Sequence, residues 1–286
     1  MNYKRILQYI SRRFRGWNLR LDRETHSICD DTLEIDTGKM VLTFDRKTED
    51  FYRWVKNSGL KEFQRYSYPH KKALEFFFSA HILEIKSGDI ILDAAGGRSN
   101  YLSAVKNTFN PSQLILVDHI YSEKNEKDDI LIIGGDISKI SLPNTSVDKI
   151  ACHHAFEHFQ QNIDVIFIEE ISRLLKPKGR AVIIPLFIAK EYIECWNIYR
   201  SNKFDSNSKL IVDKTASLPG SDNDGHFARI YSPLALYSRI LNFSKEVGLN
   251  WKIVTCTLKG QYLPDMKLNF GAKINKPLRA LVLEKK

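Results

Sequence analysis

Residues 90–102, Ile90-Ile91-Leu92-Asp93-Ala94-Ala95-Gly96-Gly97-Arg98-Ser99-Asn100-Tyr101-Leu102, constrain the fold of this chain more than any other segment. An apolar, strand-like run ends in an acid, a glycine turn follows at once, and the residues after it can open a helix. That order presents backbone N–H groups and the positive end of a helix dipole to a nucleotide-like ligand at the edge of an α/β sheet. A second apolar run, Leu114-Ile115-Leu116-Val117, ends in Asp118, 21 residues beyond Gly97. This is the spacing at which the second strand of such a unit offers a carboxylate to ribose hydroxyls.

Two common nucleotide motifs do not fit. The dinucleotide pattern G-x-G-x-x-G, started at Gly96, meets Arg98 and Tyr101 where it needs glycine. A phosphate loop needs Gly-Lys-Ser/Thr after the turn, and none follows. A relaxed acid-x-Gly-x-Gly-x-Gly pattern does fit, read as Asp93, Ala95, Gly97 and Ser99.

Downstream segments extend this pattern. Gly135-Asp136 follows the apolar run Ile130–Ile133, and Leu142-Pro143-Asn144 leads through Val147-Asp148 to Ile150-Ala151-Cys152. Next come His153-His154-Ala155-Phe156-Glu157-His158-Phe159, then Glu170-Ile171-Ser172-Arg173-Leu174-Leu175-Lys176-Pro177-Lys178-Gly179 and a second apolar run to Pro185. The Arg173–Gly179 piece reads as a helix end, a proline–glycine stop and a return strand. This series resembles the class I S-adenosylmethionine (SAM) methyltransferases, specifically the type 11 and ubiquinone-biosynthesis-like enzymes that act on small molecules. The likeness spans about residues 74–190 and continues more weakly to about 250. It implies an α/β, Rossmann-like, doubly wound and mostly parallel seven-stranded sheet with an antiparallel edge hairpin.

The resemblance also implies roles. Asp93 would hold the ammonium end of SAM, and Ala95, Gly96 and Gly97 would form the turn that approaches it. Asp118 would accept hydrogen bonds from the ribose hydroxyls, with His119 beside it. Asp136 would face the adenine amine next to the Ile137 backbone, and His153 would touch the cofactor, whose spent form is S-adenosyl-L-homocysteine (SAH). Arg98, Glu157, Arg229 and Tyr231 would contact the acceptor. The segment Gly225-His226-Phe227-Ala228-Arg229-Ile230-Tyr231 resembles one that borders the acceptor pocket in type 11 enzymes.

Methyl transfer is mostly a matter of positioning. A hydroxyl acceptor must also lose a proton, which calls for a base, and histidine suits that work. The candidates are His154, His158 and His226. His153, His154, Glu157 and His158 do not form a closed ligand set, so no metal is expected.

The chain of 286 residues is long enough for one full core plus additions. Residues 1–70 read as an N-terminal extension and 71–286 as the methyltransferase domain, with an acceptor-side insertion at about 186–225. A helix is expected at Lys71–Leu83, and late strands at Trp251–Thr257 and Arg279–Leu283 would form the edge hairpin. The segment from Phe51–Trp54 to Tyr66–His70 is expected to form part of a lid.

No apolar run reaches the roughly 20 residues of a membrane span. Arg12, Arg13 and Arg15 interrupt any secretory core. Four scattered cysteines form no Cys-x-x-Cys pair, which points to reduced thiols and a cytoplasmic protein. The net charge is +9, and Ile6, Leu7, Ile10, Phe14 and Trp17 fall near helical spacing among basic residues. A basic amphipathic helix over residues 3–17 would lie at the inner face of a membrane, pack on a partner or dock on this protein's own core. Nucleic acid is not the expected partner, since no RNA-binding module or Asn/Asp-Pro-Pro-Tyr/Phe motif is present.

Tyr192, Trp196, Tyr199 and Phe204 would make the 186–225 insertion an aromatic wall for sugar rings. The expected acceptor is therefore a glycan: a surface polysaccharide or its lipid-linked precursor. Two alternatives stay open, a hydrophobic quinone- or polyketide-type small molecule, or a methyltransferase fold kept as a scaffold without catalysis.

Overall fold

A computed structural model describes residues 41–59, 69–196, 204–212, 227–262 and 278–286. The basic segment 3–17, Tyr66, Tyr68, Tyr199 and His226 lie outside the described residues.

The chain runs through β1 (Val41–Arg46), α1 (Thr48–Ser58), α2 (Pro69–Ile82), β2 (Ile90–Ala94), α3 (Tyr101–Phe109), β3 (Gln113–Asp118), β4 (Asn125–Lys127) and β5 (Ile130–Gly134). It continues with β6 (Val147–His153), α4 (Ile163–Leu174), β7 (Leu175–Ile184), β8 (Ile193–Trp196), β9 (Lys209–Val212) and β10 (Phe227–Ile230). A helical run, Pro233–Leu236, Tyr237–Leu241 and Asn242–Glu246, leads to β11 (Leu249–Leu258), β12 (Gln261–Tyr262) and β13 (Leu278–Lys285). Ser232 caps that run, its Oγ accepting from the Ala235 N–H at 3.1 Å.

Among the described residues the main sheet has ten strands, nine of them in the order β1-β11-β13-β7-β6-β2-β3-β5-β4, with β12 paired to β11. The expected count of seven is too low. The sheet gains β4, antiparallel on β5, at one edge and β1, parallel to β11, at the other. Strands β5, β3, β2, β6 and β7 pair in parallel. The late hairpin also forms, but not at an edge. β13 is wedged antiparallel between β7 and β11, and β1 covers the far side of β11.

The β1–α1 segment corrects the sequence reading in a second way. Phe51 and Trp54 do not form a lid. They are 0% and 2% exposed and meet the edge of Phe77 on α2 at 5.4 and 6.0 Å. An aromatic side chain removed from water contributes about 1.5–3 kcal/mol, which fixes α1 to the core. The extension expected over 1–70 therefore supplies residues 41–58 to the domain.

Both sheet faces are covered, so the central strands read as unbroken apolar runs. Alternation sorts their residues. Ile91, Leu114, Leu116, Val182 and Ile184 pack with α1, α2 and α3. Leu92, Ile115, Val117, Ala181 and Ile183 pack on the other face with α4 and the 233–246 run. A separate sheet of three strands, β10-β8-β9, stands beside this layer. No helix among the described residues is long and apolar enough to cross a membrane.

Candidate active site

β2, β3, β5 and β6 are parallel and adjacent, so their C-terminal ends open on one edge of the sheet. Ligands of open α/β sheets bind at this edge. The Asp93–Gly97 turn leaves β2, Asp118 ends β3, Asp136 follows β5 and His153-His154 end β6.

The turn is built from backbone. Ala95 and Gly97 both take left-handed conformations, φ +53° and +57°. For Ala95 this conformation costs about 1–2 kcal/mol, an outlay usual at functional turns. The Gly97 N–H donates to Asp118 Oδ2 at 2.7 Å, the Ile120 N–H donates to Oδ1 at 3.0 Å, and Tyr121 Oη donates to the Gly97 carbonyl at 2.9 Å. Gly96 is required by packing. A Cβ there would lie 2.5 Å from Asp93 Oδ2 and 2.5 Å from Leu116 Cδ1.

Asp93 is fully buried, with one oxygen 3.4 Å from His153 Nδ1 and Oδ2 lacking any hydrogen-bond partner. His153 sits inside the structure, its ring between Phe76 and Tyr101 at 5.0 and 4.4 Å, and its Nε2 also lacks a partner. Arg98 and His119 are exposed, and His119 Nδ1 lies 3.4 Å from Asp118 Oδ1. Asp136 is exposed and turns its Oδ1 onto the Ser138 N–H at 2.8 Å, with Ile137 half-buried beside it.

After β6 comes a loop of different construction. His154 is left-handed at φ +50° and its N–H donates to the Ile184 carbonyl at 3.2 Å. Its Nε2 lies 2.9 Å from Glu75 Oε1, and its Nδ1 lies 3.3 Å from Glu157 Oε1. A neutral imidazole donates to only one of these carboxylates, while the doubly protonated ring donates to both. His154 thus has no acceptor nitrogen to offer while both contacts stand. Glu75, a fully buried carboxylate on α2, was not singled out from the sequence. An acid inside the apolar run Ala73-Leu74-Glu75-Phe76-Phe77-Phe78 was the available signal.

His158 stands differently. Its Nδ1 is 2.6 Å from the Phe227 carbonyl, and a carbonyl only accepts, so Nδ1 carries a proton. The residue is exposed, and its Nε2 lies 3.7 Å from Glu157 Oε1. Glu157 is buried, and its Oε2 lacks a partner. Burial pushes its carboxyl up, but His158 and His154 outweigh that and hold it below the ordinary carboxylate range.

Arg229 and Tyr231, expected at the acceptor, lie in the interior. Both are 1% exposed. The Arg229 guanidinium reaches Asp164 at 2.6 Å and Glu194 at 2.9 Å, and donates to the carbonyls of Phe159 and Gln161 at 3.0 and 2.9 Å. Burial works against its charge, but Tyr231, Asp164, Tyr192 and Glu194 hold it above the ordinary range. Tyr231 Oη donates to Asp164 Oδ2 at 2.6 Å; burial, then Asp164, push this hydroxyl well up.

The aromatic wall also turns inward. Tyr192 stacks on Tyr231 at 6.1 Å, and Trp196 meets Phe227 at 4.7 Å. Sequence spacing cannot tell a ring that lines a pocket from one that packs a small sheet.

Residues 92–183 match the family model for the type 11 methyltransferase domain. No curated protein sequence matches the chain. Among solved structures, a chain from the complex of the Haloferax volcanii Trm112 methyltransferase activator with a methyltransferase has TM-score 0.48 and 14% identity, covering 84% of this chain and 98% of its own. Geranyl diphosphate C-methyltransferase from Streptomyces coelicolor, solved with Mg2+, geranyl diphosphate and SAH, has TM-score 0.45 and 14% identity over 78% of this chain and 86% of its own. A Burkholderia thailandensis 1,6-didemethyltoxoflavin N1-methyltransferase with bound SAH has TM-score 0.44 and 10% identity, over 84% and 91% of the two chains.

Proposed function

We propose, from the premise that residues 92–183 are a class I, SAM-dependent methyltransferase domain of the type 11 family, that this enzyme O-methylates a hydroxylated small molecule of the sugar type with His158 as its general base. The observation that carries the reading is the His158 ring itself. Its Nδ1–H is committed to the Phe227 carbonyl at 2.6 Å, which leaves Nε2 as the basic nitrogen, next to a buried carboxylate.

The residues at the sheet edge fit the cofactor. Asp93 Oδ2, buried and without a partner, is an acceptor suited to an ammonium group. Each Asp118 oxygen accepts one backbone N–H and keeps capacity for a ribose hydroxyl. Gly97 leaves room, since a Cβ there would meet nothing closer than 3.8 Å. Asp136 and Ile137 would face the adenine, and His153 would support Asp93 from behind. Bound here, SAM supplies a methyl group that is already electrophilic.

The chain's own task is then to place the acceptor and take its proton. Nε2 of His158 accepts the hydroxyl proton, and Glu157 stabilises the resulting imidazolium. Glu157 also has its second oxygen for the acceptor. His154 stands between Glu75 and Glu157 and ties that carboxylate to α2. Arg98, exposed on the turn, and the net charge of +9 favour an acidic or phosphorylated sugar. His226 precedes β10 and is a second candidate for the acceptor side.

The test is to incubate the protein with methyl-labelled SAM and a panel of sugars, sugar phosphates, phenols and amines. Label in an O-methyl sugar, lost in His158→Gln, is the expected result. Label found only in a carbon or amine product would contradict the reading.

A further inference from the structure

The base candidate ends a short 3₁₀ turn, Phe156–His158, within the 154–162 connection, and connections between strand and helix are usually the mobile part of an α/β fold. This one is held from outside by β10. Phe227 gives its carbonyl to His158, and Arg229, two residues on, gives its guanidinium to the carbonyls of Phe159 and Gln161. The guanidinium also stacks on the Phe227 ring at 5.2 Å. Successive side chains of a strand alternate, so positions 227, 229 and 231 share one face, and that face meets the loop and the start of α4. Arg239 adds an outer grip on Asp164, Gln161 and Asn162. Glu194 on β8 closes the arrangement by holding Arg229 from the opposite side at 2.9 Å.

A buried ion group of this kind is a weak source of net stability, because desolvation offsets most of the attraction. Its geometry is more specific than stability requires. A planar fork satisfies two loop carbonyls and two carboxylates at once, which a lysine cannot do.

We propose that Arg229 is a positioning residue for the reaction. It fixes the loop so that His158 keeps its Nδ1–H on the Phe227 carbonyl and therefore its Nε2 as the proton acceptor. The small sheet β8–β10 is then the mount of the base rather than a wall of the acceptor pocket. The proposal rests on the reading of His158 as base, but its test does not.

Nitrogen-15 spectra of the full-length protein, with histidine labelled and His158→Gln supplying the assignment, read which ring nitrogen bears the proton. In the parent protein His158 is expected as the Nδ1–H form. In Arg229→Lys the ratio of Nδ1–H to Nε2–H is expected to fall about fivefold, the worth of one ordinary hydrogen bond, while SAH affinity by calorimetry stays within about twofold. An unchanged His158 tautomer in a variant that still binds SAH overturns the proposal. If Arg229→Lys does not fold, Arg239→Gln replaces it, since it frees Gln161 from one of two guanidinium donors. A smaller fall in the same ratio supports the mount, and no change overturns it. If instead His158→Gln keeps full methyl transfer while the tautomer responds to Arg229→Lys, the base reading fails and with it the positioning role in the reaction, and only the hold of Arg229 on the His158 ring stands.

Discussion

The Asp93–Gly97 turn and the 154–162 loop leave neighbouring strands, β2 and β6, yet they are held in opposite ways. The turn is fixed by its own backbone and by the next strand. The Ser99 N–H closes on the Gly96 carbonyl at 2.9 Å, and the Gly97 N–H reaches Asp118, 21 residues away. The loop is fixed by side chains and carbonyls from far along the chain. Glu75 is 79 residues from His154, Phe227 is 69 from His158, and Arg229 is 70 from Phe159. On the proposed reading, the rigid, locally coded turn serves the cofactor, and the loop held from elsewhere in the fold serves the acceptor.

The division of labour can be broken at several points, the largest effect first. His158→Gln is expected to lower kcat for methyl transfer roughly 10²–10⁴-fold and to leave SAH affinity unchanged, as read by steady-state rates and calorimetry. A matched loss in both would erase the distinction between the two regions. Arg229→Met leaves Glu194 buried without its cation and takes from Asp164 one of two guanidinium partners, Arg239 being the other. Breaking such a pair costs about 3–5 kcal/mol, so denaturant unfolding should show a large drop in unfolding free energy; a drop below about 1 kcal/mol would mean that the network is slack.

Gly96→Ala acts on the other region. Its Cβ would collide with Asp93 and Leu116, and overpacking of this kind costs about 1–3 kcal/mol. Weaker SAH binding should accompany the lower stability, because Asp93 is the atom displaced.

The smallest effect concerns acid. Glu157 has a folded pKa below its ordinary 4.5. Its contribution to stability is therefore fully present above that value and is lost as pH falls through the lower folded one. Glu157→Gln should flatten the fall of stability with acid below about pH 4.5; identical slopes in the two proteins would remove Glu157 from the account.

These differences also explain what the sequence made legible. The acid–glycine turn, Asp118 and the helix–strand return at Arg173–Gly179 were readable because each is a local pattern of a few residues with one backbone solution. The alternation of strands and helices was readable for the same reason, down to the buried runs of β2, β3 and β6. β1 and α1 were misassigned because a parallel edge strand is paired with β11, some 210 residues later, as in the Asp45–Thr257 contact at |i−j| 212. Arg229, Tyr231, Tyr192 and Trp196 looked like ligand-facing residues, since charge and aromatic rings mark binding surfaces as often as buried clusters. Only the placement of Asp164 and Glu194 decides between the two. Glu75 shows in the sequence only as an acid inside an apolar run; nothing near it reveals that His154 stands opposite.

The most direct test of the two-region account is calorimetric titration of SAH into the parent protein, Asp118→Ala and His158→Gln. The account predicts micromolar binding, about −8 kcal/mol, in the parent and in His158→Gln, and its loss in Asp118→Ala. Loss in His158→Gln as severe as in Asp118→Ala, or undiminished binding in Asp118→Ala, would contradict it.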